Sequence, residues 1–376
     1  MTAPAQTRLR RASAIILVVG LVLTGCAAVE PVSPPAPGAS SATVSPAPSG
    51  TASPGSSDGP GEPQLLASGL DVPWDLAVLP DGSALVTLRD RAEVVRIEPG
   101  KAAEVVGFIE PAAPSGEGGL LGIALSPGFD SDGLVYLYLS AAGDNRVLRY
   151  RYADGELTDP QVILDGIPRS TNHNGGRLRF GPDGLLYVGT GDASTERDAQ
   201  DPANLAGKIL RITAEGEVPA GNPFDNEVWS YGHRNVQGFG WDAAGRMFAS
   251  EFGSNRLDEL NLIQAGRNYG WPDAEGPSDN PDLTDPLVSW PTSDASPSGI
   301  AVSPGGEVFI ASLRGQRLWR TTWDGDAMTD PEVWFDGVGR LRAVELVGDQ
   351  LWVLTNNTAR GNPSEDDDRL LAIQAP

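Results

Sequence analysis

The 376-residue sequence predicts an all-β protein folded as a six-bladed propeller. A unit of apolar strand, Gly- or Pro-containing turn and second apolar strand recurs six times, roughly every 45 to 60 residues. No stretch shows sustained helical periodicity, and a short apolar segment is left over at each end of the array. The six units span residues 74–87, 122–137, 177–189, 238–249, 299–310 and 343–354.

Each unit is expected to form the inner hairpin of one blade, and most units are followed by a further short strand. Residues 64–69 precede the first unit and are predicted to pair with residues 370–373 in the last blade. That pairing would close the ring and remove an exposed sheet edge. The further strands, in which apolar and polar residues alternate, lie at 94–97, 147–150, 209–212 and 318–320.

The first 63 residues are predicted to lie outside the propeller. Residues 1–26 carry three arginines, a short apolar run and a terminal Leu-Thr-Gly-Cys similar to a bacterial lipobox. We interpret them as a lipoprotein signal peptide lipidated at Cys26; an ordinary secretory signal with a chance cysteine is the alternative, and twin-arginine export stays open. Residues 27–63 are mostly Pro, Ser, Ala, Gly and Thr, which predicts a disordered linker. The propeller is therefore assigned to residues 64–376, outside the cytoplasm and lipid-anchored to the outer face of the bacterial cell membrane.

The chain is strongly acidic, with 27 Lys and Arg against 50 Asp and Glu and a net charge of −23. This charge argues against nucleic acid as a partner and against electrostatic adhesion to anionic lipid. The only membrane contact predicted is the lipid at Cys26. Because Cys26 is the only cysteine, an intramolecular disulfide is excluded and the β core must supply the stability.

One of the two histidines, His173, lies in the loop that leads into the third unit. The hairpin of that unit returns the chain to the same edge of the sheet, where Asp192 follows the second strand. A histidine on such a loop with a carboxylate beside it is a plausible general base with its orienting acid. The alternative for an isolated histidine is a structural role in which it caps a turn.

Arginines that cluster in so acidic a chain point to a ligand. The loops at one end of a propeller converge on its axis, and Arg234, Arg314, Arg340 and Arg342 all fall in such loops. Arg340 and Arg342 are two residues apart in an extended segment, so both side chains point the same way. Such a cluster predicts an anionic ligand held by bidentate pairs, whereas salt bridges to nearby acids are the alternative for a single arginine. A glycine turn at Gly253 can also present backbone carbonyls, which suit Ca²⁺.

Seven segments of the sequence resemble the soluble PQQ-dependent aldose (glucose-type) dehydrogenases, in the order in which that family has them. The resemblance runs from about Leu65 to the C-terminus. It implies a six-bladed propeller that uses PQQ and Ca²⁺ to oxidise the anomeric carbon of aldoses to lactones by hydride transfer. PQQ is a tricarboxylate, which agrees with the arginine cluster. The segments are HNGGRLRFGPDG, AQDPANLAGKILRI, SYGHRNVQGFGW, DELNLI with NYGWP, SLRGQRLWR and GRLRAV.

The resemblance also implies roles for individual residues. His173 matches the general base of the family, and Asp192 matches the acid that orients it. Arg314 stands where the glucose enzymes have a lysine beside the cofactor, and Ala343 replaces the acid usual after the second arginine of the pair that holds the cofactor carboxylates. The residues that match PQQ contacts are Arg234, Asn235, Arg314, Arg340 and Arg342.

Metal and substrate residues follow from the same comparison of motifs. Glu117 stands where the glucose enzymes have a glutamine near the sugar, and Asn172 stands where they have an aspartate beside the base; both are predicted to contact substrate. The predicted metal ligands are the backbone carbonyls of Gly253 and Ser254 for a catalytic Ca²⁺, and Glu259 and Tyr269 for a structural Ca²⁺.

Two other functions stay open from the sequence. A calcium-dependent hydrolase such as a lactonase would need several carboxylate or amide side chains on one central Ca²⁺. A non-catalytic propeller that binds sugar or protein is the other, because fold does not determine function. Neither the particular sugar nor the electron acceptor is predicted.

Overall fold

The computed structural model describes residues 59–376. The predicted signal peptide, its lipidation site Cys26 and the predicted linker up to residue 58 lie outside the described residues. These assignments, and the domain boundaries built on them, stay predictions. In the part of the chain that the structure describes, no helix combines the length and apolar character needed to span a membrane.

Short strands make up most of the regular structure in residues 59–376. Two four-residue helices, α1 (Phe129–Asp132) and α2 (Asn357–Arg360), and a 3₁₀ turn at Glu196–Gln200 lie in the connecting loops. In chain order the strands are β1 (Gln64–Ala67), β2 (Pro73–Val78), β3 (Ala84–Leu88), β4 (Glu93–Ile97), β5 (Glu104–Phe108), β6 (Leu120–Leu125), β7 (Leu134–Ser140), β8 (Asn145–Ala153), β9 (Glu156–Ile167), β10 (Leu178–Phe180), β11 (Leu186–Gly189), β12 (Lys208–Ile212), β13 (Val228–Tyr231), β14 (Val236–Trp241), β15 (Met247–Glu251), β16 (Leu257–Ile263), β17 (Val288–Pro291), β18 (Pro297–Val302), β19 (Glu307–Ser312), β20 (Arg317–Asp324), β21 (Ala327–Met328), β22 (Glu332–Asp336), β23 (Leu341–Val347), β24 (Gln350–Thr355) and β25 (Leu370–Gln374).

These strands form six antiparallel sheets, which confirms the predicted six-bladed propeller. Blades one to four follow the chain as β2–β5, β6–β9, β10–β13 and β14–β17. Blade five contains β18 to β22, with both β21 and β22 paired to β20. Blade six has the order β1-β25-β24-β23, so it combines the two ends of the domain.

The closing strand is confirmed and is slightly shorter than predicted. In β1, Gln64 lies opposite Ala372 and Leu65 lies opposite Leu371 of β25. The strand ends at Ala67 because Gly69 adopts a φ of 72° and turns the chain, donating its N–H to the carbonyl of Asp366 at 3.0 Å. The last blade therefore has no unpaired strand at the junction of the two ends.

The apolar core lies between neighbouring blades. Leu76 of blade one packs with Leu354 of blade six, and Phe309 of blade five packs with Val344 of blade six. Strands near the axis are covered on both faces; all five residues of β3 are buried. This is why these strands have continuous apolar runs instead of strict alternation.

A cluster of buried charged side chains joins three of the blades near the axis. Asp75 and Arg177 are 0% and 1% exposed and form a salt bridge, and Arg179 binds Glu345 at 2.7 Å. The guanidinium of Arg177 also lies 4.6 Å from the centre of the Trp74 ring. Residues from blades one, three and six thus meet on the axis, next to the cavity that Trp74 lines.

Candidate active site

A cavity of about 420 Å³ lies where loops from all six blades converge. Among the described residues that line it, six are arginines and one is acidic, so the cavity is cationic in a chain of net charge −23. A cavity of this size and charge fits a small polyanionic ligand. The arginines are Arg89, Arg234, Arg314, Arg340, Arg342 and Arg360, and the acid is Glu117.

His173 and Asp192 form a hydrogen-bonded pair at this cavity. Nδ1 of His173 lies 2.8 Å from Oδ1 of Asp192, whose side chain is fully buried. The same Oδ1 accepts the N–H of Ser194 at 2.7 Å, and Oδ2 accepts the indole N–H of Trp271 at 2.8 Å. Because a carboxylate accepts hydrogen bonds, we assign the imidazole proton to Nδ1 and the lone pair to Nε2. The pair has the arrangement of a general base and its orienting acid.

The backbone of His173 adopts a conformation that most residues other than glycine avoid. His173 has a φ of 55°, in the left-handed region. Its carbonyl accepts the N–H of Ala193 at 3.1 Å and passes so close to Gly191 that a Cβ there would collide with it. Glycine is therefore required at 191, and the two loops flanking the β10–β11 hairpin lock together. Backbone strain of this kind is concentrated at functional sites.

Arg234 joins the histidine to the predicted calcium turn. One guanidinium nitrogen lies 2.9 Å from Nε2 of His173, and the other donates to the carbonyls of Gly253 at 2.7 Å and Phe252 at 3.3 Å. The guanidinium also lies 5.3 Å from the centre of the Trp271 ring. Arg234 is thus hydrogen-bonded both to His173 and to a predicted metal ligand.

Arg342 is a buried cation without a counter-ion in residues 59–376. It is 6% exposed, and its hydrogen bonds go to neutral groups: Gln237 at 2.7 Å, Ser298 at 3.3 Å and Asn356 at 3.4 Å. Burial lowers the pKa of Arg342 well below its usual range, and the nearby Arg89 lowers it further. A buried charge of this kind is costly unless a ligand supplies the missing anion.

The other predicted cofactor residues differ in how they meet the cavity. Arg340 is half-buried, and burial together with Arg360 lowers its pKa. Arg314 is exposed at the cavity wall. Asn235 is fully buried and is not among the lining residues; its Oδ1 accepts the N–H of Gly175 at 2.9 Å. Asn235 therefore braces the histidine loop from blade four.

The two predicted substrate residues differ in how they meet the cavity. Glu117 lines the cavity, accepts the backbone N–H of His173 at 3.1 Å and pairs with Arg360 at 3.2 Å. Asn172 is exposed and is not a lining residue. Glu117 is therefore placed to contact a bound molecule, whereas the substrate contact of Asn172 stays a prediction.

The candidate metal ligands lie beside a second, very small cavity of about 10 Å³, which Gly253, Glu259 and Tyr269 line. Glu259 is 7% exposed, and burial, with a smaller effect of Glu251, raises its pKa to about 8. The hydroxyl of Tyr269 is already bonded to two backbone groups, so its carbonyl is the group left for a ligand. Buried acids with raised pKa values mark a place that lacks positive charge.

One further acid shapes this region. Oε1 of Glu275 accepts four consecutive backbone N–H groups, at distances of 2.6 to 3.2 Å, which fixes the turn after Gly253. The carbonyls of Gly253 and Ser254, which are the predicted ligands of the catalytic Ca²⁺, belong to this turn. Within residues 59–376 no group of three or more His, Cys, Asp or Glu side chains is arranged to hold a metal ion.

Sequence reasoning missed Arg89, Arg360 and Trp271. A signal for Arg89 was present, because Thr-Leu-Arg at the end of β3 repeats Ser-Leu-Arg at the end of β19, which carries Arg314. Arg360 belongs to α2 and Trp271 to a loop without a strand, and no repeat of the sequence marks either of them.

A six-bladed propeller with a His–Asp pair beside an arginine-lined cavity describes a class of proteins. Comparisons with known proteins show which family of that class the chain belongs to. Residues 70–362 match the family model described as Glucose / Sorbosone dehydrogenase. The chain therefore belongs to the glucose/sorbosone dehydrogenase family, which confirms the resemblance inferred from the sequence.

Individual relatives agree with this assignment. The chain is similar to the PQQ-bound aldose sugar dehydrogenase of Streptomyces coelicolor, at 48% identity and a TM-score of 0.81, over 83% of this chain and 96% of that one. It is 31% identical to an aldose sugar dehydrogenase of Escherichia coli, over 79% of this chain and 90% of the relative. It is also 31% identical to quinoprotein glucose dehydrogenase B of Acinetobacter calcoaceticus, over 58% of this chain and 53% of that protein.

Proposed function

We propose that the protein is an extracytoplasmic oxidoreductase that oxidises the anomeric carbon of aldoses to lactones with PQQ and Ca²⁺. The observation that carries the proposal is the buried guanidinium of Arg342, which meets no carboxylate in the described chain and lies in a cavity with five other arginines. The names of the relatives support the same activity.

The residues present fit PQQ. Nε atoms of Arg234, Arg340 and Arg342 are buried, and each lacks a hydrogen-bond partner among the described residues. A planar tricarboxylate would supply acceptors for such donors and neutralise the buried charge. When bound, PQQ supplies the hydride acceptor and Ca²⁺ supplies Lewis-acid polarisation. We assign cofactor binding to these three arginines and Arg314, with Asn235 as a brace.

His173 is the proposed base. Its Nε2 is the atom that would take the proton of the anomeric hydroxyl, because Nδ1 is engaged with Asp192 at 2.8 Å. The Arg234 guanidinium, which lies 2.9 Å from Nε2, would have to move aside for the hydroxyl. Asp192 keeps that tautomer and stabilises the imidazolium that forms. Glu117 is the proposed sugar contact at the cavity wall, and Asn172, which is exposed next to His173 in the chain, is the second proposed sugar contact.

The calcium assignment rests on backbone geometry. The carbonyls of Gly253 and Ser254 fit the oxygen preference of Ca²⁺. Arg234 donates a hydrogen bond to the Gly253 carbonyl at 2.7 Å, and this bond would be replaced when Ca²⁺ binds. Glu259 and the Tyr269 carbonyl are the proposed ligands of a structural Ca²⁺. A lactonase-like site on one central ion is less well supported, because the described residues lack a cluster of metal-binding side chains.

The location is also a proposal. A lipid at Cys26 and a linker up to residue 63 would hold the propeller at the outer face of the cell membrane, where sugars are accessible. The aldose is the proposed small-molecule partner, and the electron acceptor is not assigned.

A dye-linked assay tests the function. Purified protein given PQQ and Ca²⁺ is expected to bleach an artificial electron-acceptor dye when aldoses are added, and to release the corresponding lactones. Omission of PQQ is the control. Lactone hydrolysis without dye reduction would establish the hydrolase instead, and sugar binding with neither reaction would establish a binding protein.

Removal of calcium gives a second test. We expect exhaustive EDTA treatment to abolish dye reduction and lower the melting temperature, because ligand carbonyls and Glu259 would lose their ion, and we expect added Ca²⁺ to restore both. Glu259→Gln should reduce the rise in melting temperature that Ca²⁺ produces, whereas Glu332→Gln, at an exposed position, should not. Unchanged turnover and melting temperature after EDTA would refute the assignment.

A further inference from the structure

We propose that Trp271 is a positioning residue whose indole N–H holds Asp192, and thereby His173, in the geometry needed for proton abstraction. The inference rests on the proposed function in one respect, namely that His173 acts as the base. Trp271 lies in the loop between β16 and β17 of blade four, 79 residues from the acid it contacts.

The contacts form a closed ring of four side chains. Asp192 binds Nδ1 of His173 through Oδ1 at 2.8 Å and the Trp271 indole through Oδ2 at 2.8 Å. Arg234 lies 2.9 Å from Nε2 of the same histidine and stacks on the Trp271 ring at 5.3 Å. The Trp271 indole thus contacts both Asp192, which binds Nδ1 of His173, and Arg234, which lies at Nε2.

Asp192 depends on this contact because it is fully buried. Its Oδ1 is shared by His173 and the N–H of Ser194, whereas among the described residues only Trp271 donates to Oδ2. A buried carboxylate oxygen left without a donor is costly, so loss of the indole N–H favours rotation of the carboxylate. Rotation would break the bond that keeps the proton of His173 on Nδ1.

Trp271 is itself held rigidly. It is 7% exposed, its backbone N–H donates to the carbonyl of Gly232 at 2.9 Å, and its carbonyl accepts from Gln200 at 2.6 Å. The ring therefore has little freedom to follow Asp192 if the carboxylate turns. This rigidity is what a group that orients a catalytic pair requires.

Blade four offers a matched control for the substitution. Trp271→Phe removes the indole N–H and keeps an aromatic ring. Trp290→Phe makes the same change in β17, where the tryptophan is 4% exposed and its indole N–H has no partner among residues 59–376. We expect Trp271→Phe to lower kcat by about tenfold or more with KM within about twofold, and Trp290→Phe to change neither by more than about twofold.

A spectroscopic measurement tests the inference apart from the activity. The chain has only two histidines, so ¹⁵N-histidine labelling of the full chain gives two ring spin systems. We expect His173 to be the Nδ1–H tautomer in the wild type and in Trp290→Phe, and a mixture of tautomers in Trp271→Phe; His233 should not change. If the wild type does not oxidise aldoses, the proposed function fails while this measurement still decides the role of Trp271.

A wild-type tautomer and kcat in Trp271→Phe would overturn the inference, as would equal losses in both variants. If Trp271→Phe does not fold, the wild-type protein labelled with ¹⁵N-tryptophan gives the answer. One indole N–H signal should then move between the wild type and His173→Gln, because Asp192 joins the two side chains. Absence of any such signal would also overturn the inference.

Discussion

Replacing His173 with Gln is expected to lower the rate of aldose oxidation by about 10²–10⁴-fold, the usual effect of removing a general base. Glutamine keeps the approximate size of the side chain and part of its hydrogen bonding, but it cannot accept the hydroxyl proton. PQQ binding, followed by absorbance, should survive because the arginines of the cavity provide it. The pair of measurements therefore separates proton abstraction from cofactor binding.

His233→Gln is the control for this variant, because His233 is the second histidine of the chain. It is fully buried, binds Glu251 at 2.7 Å and Ser230 at 2.8 Å, and stacks on Tyr269. We expect a lower melting temperature and a much smaller loss of rate, measured where the variant is folded. Near wild-type oxidation by His173→Gln, or equal losses in both variants, would contradict the assignment. Loss of PQQ binding in His173→Gln would instead indicate a structural loop histidine.

Arg342→Met is expected to weaken PQQ binding by at least about 100-fold, because two hydrogen bonds between charged groups contribute about 3 kcal/mol or more. The cofactor-free protein should be as stable as the wild type or more stable, because the substitution removes a buried cation that has no carboxylate partner in the described chain. Titration of PQQ by absorbance and denaturant unfolding of the cofactor-free protein measure the two effects.

Arg177→Met provides the matched comparison for Arg342→Met. Arg177 is as deeply buried, but it forms a salt bridge with Asp75, which is 0% exposed. Its removal leaves the buried carboxylate, among residues 59–376, with only the longer ion-pair contact to Arg179 at 3.5 Å, so the free energy of unfolding should fall by up to about 3–5 kcal/mol. If Arg342→Met binds PQQ normally, or loses as much stability as Arg177→Met, the assignment of the arginine cluster to PQQ binding is wrong.

The sequence predicted the blades because blade formation is local. Apolar strands, glycine turns and their recurrence specify each hairpin without reference to distant residues. The pairing of His173 with Asp192 could be predicted for the same reason, since the two residues flank one hairpin, β10–β11. The family assignment likewise came from motifs that are contiguous in the chain.

The sequence could not reveal which side chains share the cavity. Glu117 pairs with Arg360 across 243 positions, and Trp271 donates to Asp192 across 79. The cofactor contact of Asn235 stays a prediction: its Oδ1 accepts the N–H of Gly175 in the loop of His173, whereas its Nδ2 has no hydrogen-bond partner among the described residues.

Local patterns therefore determined the six blades, the pairing of His173 with Asp192 and the family of this protein. Only the tertiary structure decided that Arg342 meets no carboxylate among residues 59–376 and that the indole of Trp271 donates to Asp192. The physical reason is that closure of the ring brings loops from six blades to one axis, and the contacts made there depend on side-chain directions that no local pattern encodes.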